Sequence, residues 1–468
     1  MKHLYLFLLC AMSMSLYAQT ILLEKPKVDE RVELLSIVFR MAGAEEYSSD
    51  GFKLYTDKIY KHFAPYKNHP ISAFIQKQRE TVGTGYDAVM KMAVHISPAP
   101  EFRPLVTFTD NLPERWGKKQ AEEFLTLLRQ YYKDTKCDAF FVQNRELYRE
   151  SERLFMPVFN ELDTQWYKDF YGKDPKEKFN IILGLGNGGG NYGPDLVYPD
   201  GRREVFAIMG TWAPDSVSMP QYGKDIFPTL VHEFNHSFVN YLNEMHKAKL
   251  KKSGSSIFGF VEAQMREQAY ANWKTMLDEA LVRAAVIKYM KDHKYSKEAL
   301  DTETGIQLNR GFIWIEELVA KLEEYSANRK KYLTLESYMP ELIRFYDNIS
   351  KDFGTLKAAY DKRKPKVAGI VGFKNNAQDV NPNLKQLQVM FDRPLLGKGY
   401  SVNLGDKGRD FFPDIKKITY SADRKTVFFE VLLQPGKEYE MVLTGRSFKS
   451  EDGIGMDDYP IKFKTALK

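Results

Sequence analysis

Cysteine is almost missing: Cys10 and Cys137 are the only two in 468 residues. That excludes a disulfide-stapled scaffold. It also excludes a four-cysteine zinc site, and with no closely spaced pair it excludes finger-type sites as well. Any metal site must use histidine and carboxylate, and histidine is itself scarce, with 8 in the chain. Beyond the N-terminus no apolar run reaches 18 residues, so no stable membrane insertion is expected of the mature chain. An excess of one charge is missing too. The 68 basic and 62 acidic residues leave +6, which over this length argues against a nucleic-acid partner. Internal repeats and low-complexity tracts are absent. What is present is bulk: 31 Phe and 28 Tyr in a chain that is 43% hydrophobic, enough to fill a large core and unlike a disordered composition. At roughly 100–200 residues per domain, the length predicts two to four domains.

The N-terminus reads as a leader. Met1, Lys2 and His3 form a short basic start, and residues 4–16 are apolar or small, too short a stretch to span a bilayer comfortably. Residues 1–18 are expected to be a secretory signal peptide cut after Ala18, although Leu16 stands where a small residue is preferred. A lipid anchor on Cys10 is disfavoured, because Leu9 before it is wrong for that motif. The protein is therefore expected to be secreted or periplasmic, with Cys137 its one remaining thiol.

Hydrophobic periodicity divides the rest. Residues 28–174 carry helical spacing, for example Phe124, Leu125, Leu128 and Tyr131. Two short β-like runs follow at 179–183 and 204–209. Between them lies a glycine-rich stretch, 184–193. It fits G-x-G-x-x-G in form but leads into Asn191, Tyr192, Gly193 and Pro194 instead of a helix, so it is not read as a nucleotide site. It is expected to be a flexible rim or a turn-rich loop. Helical spacing returns from 227 to about 360, in pieces at 227–247, 260–292, 309–327 and 335–350. At Lys362, Arg363, Lys364, Pro365 and Lys366 the period changes. Short alternating runs then recur at 367–373, 386–391, 418–420, 426–432, 439–443 and 461–465, which read as a β-sandwich. The fold class is α+β, with an N-terminal helical part of a catalytic region (19–175), a metal-binding region (176–361) and a β-sandwich (366–468).

The chemistry concentrates at His232, Glu233, Phe234, Asn235 and His236, an H-E-x-x-H motif. On a helix, residues four apart share a face, so both imidazoles can point at one Zn2+ at about 2.0–2.1 Å. Glu233 can reach a water on that metal, take its proton as it attacks a carbonyl, and pass it to the leaving amine. Chance would supply about 0.02 such motifs in this composition. The context fits: Leu230, Phe234, Phe238, Tyr241 and Leu242 make an apolar stripe, and Pro228 suits the first helical turn.

From the β-like stretch near 179 to about 290, the sequence resembles the zincin metallopeptidases whose third ligand is a glutamate. The whole chain also resembles a family of secreted bacterial proteins of unassigned function that carry this motif. The tail, with Val389, Phe391, Asp392 and Pro394, is similar to bacterial Ig-like modules. The resemblance implies a mainly helical zincin-like domain with a small sheet, and an edge strand ahead of the motif helix that pairs with substrate; 204–209 stands in that position. The metzincin extension is absent, since Val239 and Leu242 occupy its Gly and His positions. An acidic third ligand from a following helix is therefore expected. Glu279 is preferred because it lies in an apolar helix, where an unpaired carboxylate is costly, and because small Ala280 follows it. A simple Glu279–Arg283 ion pair is the plain alternative, with Arg283 otherwise a partner of the ligand. Glu262 and Asp278 are further candidates. Tyr192, Tyr241, His246 and Tyr270 are each open as oxyanion donors.

The reading that follows is a secreted zinc-dependent peptidase acting on a peptide or protein substrate, with His232, His236 and Glu279 as metal ligands and Glu233 as base. Two rivals stand beside it: a non-catalytic surface-binding protein on the same scaffold, and a metal-dependent hydrolase of a non-peptide amide.

Overall fold

The computed structural model describes residues 22–108, 112, 115–173 and 176–468. The leader assigned to residues 1–18 lies outside the described residues. The chain is α+β and divides after Leu230 into two compact units, residues 1–230 and 231–468.

In the first unit, helices α1 (Glu30–Met41), α2 (Lys53–Phe63), α3 (Pro70–Val82), α4 (Asp87–His95), α5 (Lys118–Asp134), α6 (Cys137–Glu161) and α7 (Thr164–Tyr171) accompany one small sheet. The start of α1 is set locally: the Asp29 side chain accepts from the Arg31 backbone N–H, and Glu30 and Glu33 lie in the first turn, where the helix dipole favours negative charge. Cys137 opens α6 fully buried. Burial pushes its thiol up to about 12, against a hydrogen bond with Thr135, so it packs as a small apolar side chain.

The sheet contains β1 (Leu22–Leu23), β2 (Lys178–Gly184), β3 (Asp195–Val197) and β4 (Arg203–Gly210) in the order β1-β2-β4-β3. β1, β2 and β4 run parallel and β3 is antiparallel. The expectation of an edge strand at 204–209 is corrected here. β4 is interior, paired with β2 from Glu204 to Gly210 and with β3 on its other side. Beyond β3, Tyr192 continues that pairing by exchanging backbone hydrogen bonds with Ile208. The edge falls to the segment 192–197, too short and polar to show an alternating pattern.

The start of the glycine-rich stretch after β2 is anchored. The buried Glu33 carboxylate accepts from the backbone N–H of Leu185 (2.7 Å) and Gly186 (3.1 Å). Arg40 donates to the Gly186 carbonyl (3.3 Å). Gly188 has φ +74°, and a Cβ there would come within 2.2 Å of the Glu46 carbonyl oxygen, so only glycine fits.

Helix α8 (Phe227–Met245) crosses the division. The second unit continues with α9 (Lys247–Glu267), α10 (Trp273–Asp292), α11 (Lys297–Asn309), α12 (Ile315–Ala327) and α13 (Leu335–Arg363). The run expected at 260–292 is two helices. Ala269 takes φ +64°, and Asn272 caps a new helix by accepting from the Thr275 N–H at 3.0 Å, a start signal that apolar spacing conceals. From Met276 to Met290 every residue of α10 is buried, so its charged members need partners within the protein.

After α13 come β5 (Val367–Ile370), β6 (Gln386–Phe391), β7 (Val402–Leu404), β8 (Asp414–Tyr420), β9 (Thr426–Leu432), β10 (Glu438–Leu443) and β11 (Tyr459–Lys464). They form two sheets, β5-β6-β9-β8 and β11-β10-β7, antiparallel throughout. Val389, Phe391, Val427 and Phe429 from one sheet share a core with Met441, Leu443, Ile461 and Phe463 from the other. β7 has no buried residue, which is why apolar alternation does not reveal it.

Candidate metal centre

The geometry of α8 places its two histidines. Leu230, Phe234, Phe238 and Leu242 are buried on one stripe, which fixes the rotation of the helix. Asn243 Nδ2 donates to Asp278 Oδ1 at 2.9 Å and ties α8 to α10. His232 and His236, one turn apart, then face Glu279. His232 Nε2 and His236 Nε2 are 3.2 Å apart. His232 Nε2 is 3.5 Å from Glu279 Oε2, and His236 Nε2 is 3.5 Å from Glu279 Oε1. Four ligands set tetrahedrally at zinc's usual 2.0–2.1 Å stand about 3.3–3.4 Å from one another. These separations are close to that spacing, with each imidazole facing a different oxygen of the one carboxylate, and no further protein ligand joins the cluster among the described residues.

The electrostatics suit a cation. Burial holds His232 well below its ordinary value; Glu279 opposes this, and Arg283, His236 and Arg310 add to it. The ring is therefore neutral, the form that binds metal. Asn240 Oδ1 accepts from His236 Nδ1 at 3.2 Å, which leaves the Nε2 lone pair on the side of the cluster. Burial works to raise Glu279, but the Arg283 guanidinium and the Tyr270 hydroxyl beside it hold it below the ordinary carboxylate range, so it is ionised. Glu233, 9% exposed, goes the other way. Burial lifts it to about 7, with His236 opposing and Glu279 assisting, and a carboxyl near 7 can both take and return a proton at neutral pH.

Glu279 is held from one side. Its Oε2 accepts from the Tyr270 hydroxyl (2.9 Å) and from Arg283 Nη2 (2.8 Å). Arg283 Nη2 also donates to the Tyr270 oxygen (2.6 Å), and Nη1 donates to Gln307 Oε1 (2.9 Å). The guanidinium lies over the Phe312 ring, 5.2 Å from its centroid. Oε1 takes no hydrogen bond among the described residues, so it is the atom free to bind a metal. The Glu279–Arg283 pair weighed as an alternative to ligation exists, but in the same geometry as the cluster.

Two other candidate ligands are elsewhere. Glu262 is on α9 and accepts from Arg266 at 2.7 Å. Asp278 is taken by Asn243 and Lys274. Among the candidates for an oxyanion donor, Tyr270 reaches the cluster through Glu279, while Tyr192 belongs to the first unit, stacked on Tyr47. Sequence reasoning missed Gln307. Its only signal was a polar residue between Ile306 and Leu308 near the end of α11.

The family model for a domain of unknown function, DUF4932, matches residues 25–345, and the chain belongs to that family. No curated protein matches it. Among solved structures it is similar to surface layer protein SbsC, domains 1–6, at 11% identity and a TM-score of 0.18, covering 93% of this chain and 46% of that one. It is also similar to the N-terminal part of the bacterial S-layer protein SbsC, at 11% identity and a TM-score of 0.17, covering 85% and 79%. The chain thus spans less than half the length of the first of these. At such TM-scores the likeness carries no argument about fold or function.

Proposed function

We propose that this DUF4932 member is an exported zinc-dependent peptidase. His232, His236 and Glu279 would hold one Zn2+, and a water would take the fourth position. The observation that carries this is a cluster in which two imidazole nitrogens 3.2 Å apart each lie 3.5 Å from one oxygen of the same carboxylate, beside a buried glutamate. When bound, the metal would supply an acidified water and polarise the substrate carbonyl. Glu233 would accept the proton from the attacking water and deliver it to the departing amine nitrogen. Arg283 and Tyr270 hold Oε2 of Glu279 and so keep Oε1 aimed at the cluster.

A binding protein without activity has no use for Glu233. Its carboxyl makes no hydrogen bond or ion pair among the described residues, and a buried carboxyl kept for structure needs such partners. The zincin-like character of the metal region and the Ig-like character of residues 366–468 belong to this proposal, as does export by residues 1–18. The test is cleavage of a broad peptide library by the zinc-loaded mature chain. Cleavage that chelation abolishes and zinc restores supports it. Full zinc with no cleavage of any peptide overturns it, and hydrolysis of other amides would then move the reading to a non-peptide substrate.

A further inference from the structure

A cleft of about 720 Å³ opens in the second unit, between α9, α11 and α13 on one side and the loops 445–449 and 455–458 on the other. One end is apolar. The Phe260 and Phe353 rings lie parallel, 4.4 Å apart and 6° from coplanar. Phe260 is 54% exposed, and next to it Val261 leaves helical geometry at φ −123°, ψ 16°. An exposed aromatic at a break in a helix, inside a cleft, is a surface for an apolar side chain.

The other notable feature is Arg310, which directly follows α11. Its backbone is fixed: the N–H donates to Ile306 and Gln307, and the carbonyl accepts from Gln268 Nε2 at 2.7 Å. Arg310 is an exposed residue that lines the cleft, and its guanidinium makes no hydrogen bond or ion pair among the described residues. Its backbone anchors adjoin the metal centre: Gln307 accepts from Arg283 Nη1 at 2.9 Å, and Gln268 lies two residues before Tyr270, whose hydroxyl donates to Glu279 at 2.9 Å. Arg446 and Lys449 in the same cleft are likewise unpaired. Asp361 and Asp457 are engaged by Lys357 and Lys364, which leaves Glu267 and Asp458 against three free cations. A rigid base carrying an unsatisfied planar donor, in a cleft with two more unpaired cations, is arranged to receive an anion from outside, and a guanidinium fits a carboxylate in a two-point bond.

We propose that Arg310 is a specificity residue of the peptide site, binding a carboxylate of the peptide while Phe260 covers an apolar side chain in the same cleft. This rests on the peptidase reading for its ligand class. The carboxylate is either the peptide's C-terminus or an Asp or Glu side chain.

The experiment measures binding without turnover, by fluorescence anisotropy on the zinc-loaded mature chain carrying Glu233→Gln. Three fluorescein-labelled probes share the sequence Ala-Ala-Phe-Ala-Ala: one with a free C-terminus, one amidated, and one amidated with a Glu beside the Phe. A carboxylate probe should bind about tenfold or more tighter than the neutral one. Preference for the free terminus identifies a C-terminal carboxylate, and preference for the Glu probe an acidic side chain. Arg310→Ala should erase the preference with zinc content unchanged, and Arg310→Lys should restore part of it. Equal binding of all three probes, no measurable binding of either carboxylate probe, or a preference that survives Arg310→Ala overturns the proposal. The peptidase reading fails separately: a carboxylate preference lost in Arg310→Ala, in a protein whose wild type cleaves nothing, leaves Arg310 a binding residue and refutes only the activity.

Discussion

The Nε2 atoms of His232 and His236 lie 3.2 Å apart. The partner of His236 Nδ1 accepts a hydrogen bond, so the His236 Nε2 lone pair points toward its neighbour. Two neutral imidazoles gain nothing from that approach, and burial disfavours protonating His232. A cation between them, shared with the ionised Glu279, satisfies all three groups.

One zinc per chain is therefore expected after adventitious ions are removed, measured by metal analysis of the mature protein. A ligand present at a hundredfold over its dissociation constant stabilises the native state by about 2.7 kcal/mol. Chelation should therefore lower the melting temperature of wild type and leave the His232→Ala, His236→Ala double variant unmoved. Zinc content near zero in wild type, unchanged in the double variant, would refute the site.

Arg283 should matter through Glu279. Removing one partner of a buried ion pair costs about 3–5 kcal/mol, so Arg283→Ala should lose stability on that scale. Arg283→Lys keeps the charge but cannot serve Glu279, Tyr270 and Gln307 at once. Its zinc affinity should fall by about 10–100-fold, as losses of ligand-orienting partners do. Competition with a chromogenic chelator measures this, and unchanged affinity in both variants would remove Arg283 from the site.

Glu33 makes the first unit sensitive to pH. Burial raises it to about 7, against the N–H groups of Leu185 and Gly186, the Tyr55 hydroxyl and the charge of Arg40. Its folded value is above its unfolded one, so the fold favours the protonated form. That stability is complete below about 4.5 and drains as pH rises through about 7, by ~3 kcal/mol at most. Glu33→Gln cannot ionise. Denaturation from pH 4.5 to 8 should show wild type losing stability relative to the variant as pH rises; a difference independent of pH would contradict this.

Residues 366–468 are expected to fold alone, because both sheets close on a core drawn entirely from that span. A fragment of this length should give a β-type spectrum and a cooperative melt. Its ties to the helices include polar ones, such as Asn309 Nδ2 to the Gly453 carbonyl at 2.8 Å and Lys364 to Asp457. A disordered fragment would show that those ties are indispensable.

What could be read from the sequence follows from what depends on spacing. The motif helix was visible because its stripe and its histidines share one period, and the proximity of Glu279 to them followed from the cost of a carboxylate in an apolar helix. The interior position of β4 was hidden because it depends on β3, a strand of three residues with one buried side chain. The break before α10 was hidden because apolar spacing resumes on both sides of its cap, Asn272. Glu33 and Gln307 escaped because their partners, Leu185 and Arg283, are 152 and 24 residues away, and no local pattern records such a bond.

The most direct measurement compares zinc content and peptide cleavage in wild type and Glu233→Gln. The substitution keeps the side chain's size and removes a group able to take a proton, and Glu233 is not among the residues that would bind the metal. Zinc should stay at one per chain while cleavage falls by about 10²–10⁴-fold, the scale of a lost general base. Cleavage by Glu233→Gln equal to that of wild type, with zinc bound in both, would contradict the mechanism whatever the substrate.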